Sequence, residues 1–159
     1  MPKILVLGVG NILLTDDGLG VWAVRELAKE DWPQNVEFMD GGTFTQDMYH
    51  LFEGYDELLV LDVVHAGHAP GTIFRLNEDD LVQNDSQRLS LHDIDLIDSL
   101  KMADLIGKRP TMRILGMEPE DFTTWKMELT PTCATAMPQY LETARTAIKA
   151  LLAEGAASA

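Results

Sequence analysis

The chain has 159 residues, 46% of them hydrophobic and 24% charged, the size and balance of one globular domain around one core. Twelve Lys and Arg against 26 Asp and Glu leave a formal net charge of −14, the wrong sign for neutralising phosphates, which argues against nucleic acid and anionic membrane as partners. A single cysteine, Cys133, excludes an internal disulfide and a cysteine-built structural zinc site, and fits a reducing cytoplasm.

Residues 4–7 are a β-prone run ended by Gly8. Gly8 and Gly10 interrupt the apolar opening and Asp16 and Asp17 follow it, so it reads as a buried first strand and not as a secretion signal. Residues 18–30 carry Val21, Val24, Leu27 and Ala28 at helical spacing. A second strand over 36–39 ends in Asp40-Gly41-Gly42, and 45–52 predicts a helix. The continuous apolar run 58–64 is typical of a parallel strand buried on both faces. Only the loop 65–71 separates it from the next strand, 72–76, which is too short for a parallel crossover, so strand four is expected to run antiparallel. A helix over 94–106 is expected to turn Ile97, Leu100 and Leu105 inward, and 112–116 is a fifth strand. The final helix, 137–152, carries the stripe Met137, Tyr140, Leu141, Ala144, Ile148 and Leu151. Thr130-Pro131 offers an N-cap and a proline at the first helical position, so helix can begin there with Pro138 as a kink or restart. The expected organisation is one domain over 1–154 and a frayed tail over 155–159. No apolar stretch approaches the roughly 20 residues that span a bilayer.

Gly8-Val9-Gly10 after a strand, with Asp40 ending the second strand, invites a dinucleotide site. The match fails: Leu13 occupies the third glycine position, and Asp16 with Asp17 put negative charge where pyrophosphate would sit. The acidic residues themselves are more informative. Asp16 and Asp17 follow strand one, Asp40 ends strand two, and Asp62 lies inside strand three. Carboxyl ends of parallel strands share one rim, so these carboxylates can converge on a crevice and invite a cation. One of Asp16 and Asp17 is expected to cap the following helix. Asp62 would cost several kcal/mol to bury unpaired, so a cation or strong hydrogen bonds should face it. His92, in Ser90-Leu91-His92-Asp93, is the histidine best placed to join them. The loop holding His65 and His68 reads as solvated, and His50 carries no signal. Cys133 reads as a small apolar residue of the last helix, away from the acidic rim.

Residues 3–20, with Gly8-Val9-Gly10-Asn11 and Thr15-Asp16-Asp17-Gly18-Leu19-Gly20, resemble the opening of the nickel-iron hydrogenase maturation endopeptidases. The resemblance continues through Asp40-Gly41-Gly42-Thr43, Asp62, Ala69-Pro70-Gly71-Thr72, Ser90-Leu91-His92 and Leu129-Thr130-Pro131-Thr132, in family order over nearly the whole chain. It implies an α/β fold of the phosphorylase/hydrolase-like type: a three-layer α/β/α sandwich with a five-stranded mixed sheet, order 2-1-3-5-4, strand 4 antiparallel. It also implies an endopeptidase that removes the C-terminal extension of a nickel-loaded hydrogenase large-subunit precursor, with the bound nickel as recognition element. The implied metal ligands, which are also the catalytic set, are Asp17, Asp62 and His92, where many members have Glu at position 17. Asp40 would position substrate or take a proton. Nickel would be supplied by the precursor, and zinc, cadmium or a similar divalent ion could occupy the site in vitro. The expected partner is the precursor, and the free enzyme is expected to be a cytoplasmic monomer.

Two other readings compete. A non-catalytic metal-binding maturation chaperone could use the same three ligands. A receiver domain also places an acidic pair beside a strand-three Asp, but Gly116-Met117-Glu118-Pro119 stands where its lysine should follow strand five.

Overall fold

The apolar runs pair into one sheet. In the computed structural model, which describes residues 1–43, 46–83, 91–107 and 109–158, the strands are β1 (Ile4–Val9), β2 (Val36–Gly42), β3 (Glu57–Val63), β4 (Ile73–Asn77) and β5 (Thr111–Met117). Their order is β2-β1-β3-β5-β4. β1 pairs in parallel with β2 and β3, β3 in parallel with β5, and β4 antiparallel with β5. The direction of β4 follows from the tight turn before it, where Thr72 N–H donates to Ala69 O at 3.1 Å and Gly71 has φ +90°. That is the reversal expected from the short loop.

Every residue of β1, and every residue of β3 after Glu57, is buried, because both strands are covered on both faces. Ile4, Val6, Leu59, Leu61 and Val63 pack on one side against α1 (Leu19–Leu27) and α4 (Pro131–Ser158). Leu5, Leu7, Val9, Leu58 and Val60 pack on the other against Phe52 of the 3-10 turn Gln46–Phe52 and against Leu100 and Ala103 of α3 (Leu91–Leu105). This is a three-layer α/β/α sandwich. Each fully buried aliphatic side chain contributes roughly 1.5–3 kcal/mol.

The helices follow the apolar periodicity with four differences. α4 begins six residues before the apolar stripe, at Pro131, the start that Thr130-Pro131 offered: Ala134 N–H donates to Thr130 O at 2.9 Å, and Pro131 sits where a missing N–H leaves no bond unmade. The helix continues past Pro138 to Ser158, with Gly155 so close to Pro2 that an added Cβ would lie 2.2 Å from it. α3 begins at Leu91, and Leu105 is 83% exposed, not inward. Leu105 lies about 140° around the helix from Leu100, whereas Ala103, one turn on, takes the buried place. The region expected as helix 45–52 is a 3-10 turn over Gln46–Phe52. The fourth difference, α2 (Glu78–Gln83), is too polar to register as an apolar stripe. Its signal is a reciprocal cap: Asn77 N–H donates to Asp80 Oδ2 at 2.9 Å, and Asp80 N–H to Asn77 Oδ1 at 3.0 Å. No helix among the described residues is long and apolar enough to cross a membrane.

Candidate functional site

β1 and β3 are parallel neighbours, so the loop leaving β1 and the end of β3 lie on one edge of the sheet. Two glycines let that loop fold back tightly. Gly10 has φ +139°, and a Cβ there would lie 1.9 Å from Asp17 O; a Cβ on Gly20 would lie 1.9 Å from Leu61 O. The turn Thr15–Gly18 therefore sits against β3, beside the residue that precedes Asp62.

The two consecutive aspartates have different surroundings. Asp16 is fully buried, and its carboxylate accepts from Glu120 N–H (2.9 Å), Asp121 N–H (3.1 Å) and Thr130 N–H (2.9 Å), and from the Thr130 hydroxyl (2.8 Å). It ties the segment 120–130 to the β1 loop. Asp17 is half-buried, and its Oδ2 accepts from Asn11 N–H at 2.9 Å. The expectation that one of them caps the following helix is corrected: the cap of α1 is Gly18, with no side-chain bond. Both carboxylates lie within the 3-10 turn that precedes the helix and hold loops together instead. Just before them, Thr15 has φ +51°, a left-handed conformation that costs a β-branched residue on the order of 1–3 kcal/mol. Its hydroxyl donates to Thr124 O at 2.5 Å and its N–H to Lys126 O at 3.0 Å, which holds the strained turn in place.

Asp62 is fully buried, and its Oδ1 accepts from Val63 N–H at 2.7 Å. Tyr140 of α4 is its neighbour: the phenol donates to Leu115 O at 2.5 Å, and burial, with the charge of Asp62 adding to it, pushes its pKa well above the usual value. Tyr140 therefore stays neutral beside the carboxylate. Asp40 is exposed, with Oδ1 accepting from Gly42 N–H and Oδ2 from Arg25 Nη2, both at 3.0 Å. Arg25 and Asp40 line a cleft of about 430 Å³ with Gly10, Asn11, Leu13 and Thr43. His92 is the second residue of α3, inside the helix and not ahead of it; its side chain lies outside the described residues. Among the described side chains no group of three His, Cys, Asp or Glu stands within one metal's reach. Asp17 and Asp62 are thus the described members of the expected ligand set.

Two residues belong to this edge although the sequence reading gave them no part in it. Glu118 is buried, and its Oε1 accepts from Ala66 N–H (3.0 Å) and His68 N–H (2.7 Å). The loop read as solvated is pinned by this carboxylate, with His65 edge-on to Phe122 and His68 edge-on to Phe74. The signal resembles the one that singled out Asp62, an acid directly after an apolar strand run. Cys133 is on the last helix as expected but lies beside Asp16, not away from the acidic motif. Its Sγ donates to Glu118 O at 3.6 Å, and burial, assisted by Asp16, pushes the thiol up to about 11. It is a neutral thiol at pH 7 and a poor metal ligand.

Comparison with known proteins shows the family of the chain. The family model for hydrogenase maturation proteases, HycI, matches residues 21–147. The hydrogenase 2 maturation protease of Escherichia coli (strain K12) is 33% identical over 150 residues, covering 92% of this chain and 91% of that one. The hydrogenase expression/formation protein HupD of Rhizobium leguminosarum bv. viciae is 34% identical over 146 residues, covering 90% and 72%. The solved hydrogenase maturating endopeptidase HybD from E. coli superposes with a TM-score of 0.82 at 33% identity, covering 92% of each chain. The same five-stranded mixed sheet, matched along nearly its whole length, makes this chain a member of the hydrogenase maturation protease family.

Proposed function

We propose that the protein is an endopeptidase that removes the C-terminal extension of a nickel-loaded hydrogenase large-subunit precursor, reading the precursor's nickel through Asp17, Asp62 and His92. The observation that carries the reading is the pair of carboxylates Asp17 and Asp62 on adjacent elements at one sheet edge, in a chain of this family. The topology of α3 supports the third member. α3 ends five residues before β5 begins, and fifteen helical residues span about 22 Å, so its first turn, with His92, reaches back toward the carboxyl rim.

The donor set fits a borderline divalent ion. Two carboxylates and an imidazole leave coordination positions open for substrate atoms, and the neutral thiol of Cys133 does not compete. Asp17, Asp62 and His92 would hold the nickel that arrives with the substrate, and the ion would supply Lewis-acid polarisation of the scissile carbonyl. The protein's own residues supply position. Asp17 is oriented by Asn11 N–H and Asp62 by Val63 N–H, with the buried, neutral Tyr140 beside Asp62. Asp40 shapes the cleft with Arg25, where it would position substrate or take a proton, each of its oxygens accepting one hydrogen bond. Zinc or cadmium would occupy the same oxygen and nitrogen donors in the isolated enzyme, more weakly than in a closed four-ligand site.

The deciding experiment incubates nickel-loaded and metal-free precursor with the enzyme. Cleavage confined to the nickel-loaded form is expected. Efficient cleavage of unloaded precursor by zinc-charged enzyme would mean an ordinary metalloprotease, and binding of precursor with no cleavage would favour a maturation chaperone.

A further inference from the structure

Beside the proposed catalytic edge stands a group of exposed apolar side chains that the reaction leaves unused. Trp125 is 73% exposed, Met127 57%, Phe122 44% and Leu13 43%. They are carried by a loop held at many points. Lys126 N–H donates to Leu13 O at 2.8 Å and Thr15 N–H to Lys126 O at 3.0 Å, a bridge that sets Leu13 alongside Trp125. Asp16 N–H donates to Asp121 O, and the buried Asp16 carboxylate takes the N–H groups of 120, 121 and 130. Within the loop, Asp121 Oδ1 accepts from Thr123 and Thr124 N–H, and the Thr124 side-chain hydrogen bond, followed by these backbone bonds, keeps its carboxyl below the usual range. Phe122 rests edge-on against His65, just past the end of β3. The loop thus spans the two elements that carry Asp17 and Asp62 and holds apolar side chains in water at a fixed place.

We propose that Leu13, Trp125 and Met127, with Phe122 at their margin, form an exosite that docks the folded body of the precursor while its C-terminal tail enters the catalytic edge. The inference rests on the endopeptidase reading and adds to it the surface that selects the substrate. An exposed apolar group that includes two aromatic side chains, on a loop fixed by hydrogen bonds, is the kind of patch that marks a protein-binding site. Charge narrows the occupant. Glu120, Asp121 and Glu128 border the patch, Lys126 is paired with Glu128 at 2.6 Å, and the chain as a whole carries −14. A second copy of this chain would set acidic rim against acidic rim, which costs affinity. An apolar surface ringed by Lys and Arg, on a different protein, is the complement. Leu13 stands four residues before Asp17 on the same loop, so a body docked here brings the cleaved segment beside the ligands.

The test uses Trp125→Ser/Met127→Ser in the full chain, with steady-state cleavage of nickel-loaded precursor and acrylamide quenching of Trp125 emission. The variant should raise KM at least tenfold while kcat stays within twofold, since neither side chain touches the reacting bond. In the wild type, precursor should shift the emission blue and protect it from quencher, and Trp125→Phe should lose that response. An unchanged KM with unprotected Trp125 would overturn the exosite and leave the endopeptidase reading standing. If the wild type cuts no precursor, the endopeptidase reading fails, and protection of Trp125 by that precursor alone decides whether the surface docks it. A dimer in solution that the double substitution dissolves would overturn the proposal in favour of a second copy.

Discussion

The carboxyl edge of the sheet and the layer beneath α4 belong to one fold but are held together differently. Beneath α4, Tyr140, Ala144, Ile148 and Leu151 fill space against Leu115 and Met117, and almost every contact is apolar. At the carboxyl edge, the buried acids Asp16, Asp62 and Glu118 replace aliphatic side chains, Thr15 is held at φ +51°, and glycines stand where no Cβ fits. The first region tolerates changes of shape to the extent that volume is conserved. The second is specified by hydrogen bonds, each of which leaves a buried partner exposed to cost when broken. A protein that must place carboxylates to about an ångström has reason to build the edge in the second way and to let the first supply the stability.

That contrast breaks most sharply at Gly20. Gly20→Ala drives a Cβ to within 1.9 Å of Leu61 O and 2.7 Å of Val9 O, both backbone, and should cost more than about 4 kcal/mol; chemical denaturation, or failure to recover folded protein, measures it. Asp16→Ala comes next. It leaves three part-buried N–H groups without their acceptor and should cost about 2–4 kcal/mol. Asp16→Asn, which keeps one oxygen, should recover part of that. An Asp16→Ala protein as stable as the wild type would mean that the 120–130 loop is not held by this carboxylate.

At the proposed ligands the expected effect moves from stability to activity. Asp62→Asn and His92→Ala should abolish processing of nickel-loaded precursor while unfolding free energy stays within about 2 kcal/mol of wild type, because asparagine keeps the shape of the buried Asp62 and an oxygen to accept from Val63 N–H, and a ligand histidine is held for its metal and not for packing. Collapse of both variants on a thermal scan would show these residues to be structural. Asp17→Asn should behave likewise, since an amide oxygen can still accept from Asn11 N–H.

Smaller effects follow from titration. The Cys133 thiol is raised from 9.0 to about 11 by burial, so the folded protein holds this proton more tightly than the unfolded chain. Its contribution is fully present below pH 9 and is lost as pH rises from about 9 to about 11, on the order of 2 kcal/mol. Cys133→Ala should flatten that alkaline decline and remain active, and the native thiol should resist a disulfide reagent at pH 8 until the protein unfolds. The smallest effect lies on the surface near α4. Arg145 donates to both oxygens of Glu30 at 2.9–3.0 Å and lowers its pKa. The pair lies at the surface and is partly exposed, so Arg145→Ala should cost under about 1 kcal/mol, and that contribution should fade as pH falls through the lowered Glu30 pKa. A larger loss there would show that the α4 layer also depends on specific polar contacts.

Much of this was legible in the residues themselves. The runs at 4–7, 58–64 and 112–116 announced buried strands, the short 65–71 loop demanded an antiparallel β4, and the stripe through Tyr140 and Ile148 announced α4. These readings rest on local periodicity and on chain length between elements, which a sequence carries directly. Residue order also placed Asp17 and Asp62 at strand ends. It could not separate Asp16 from Asp17, because the difference between them lies in Glu120, Asp121 and Thr130, more than a hundred residues away. For the same reason it left Glu118 unread and set Cys133 apart from the acidic motif it touches. Periodicity records which way a side chain points from its own backbone. Only the packed structure decides which distant N–H groups arrive to meet a carboxylate, and that arrival makes Asp16 a staple between distant segments while Asp17 accepts from Asn11 N–H within its own loop.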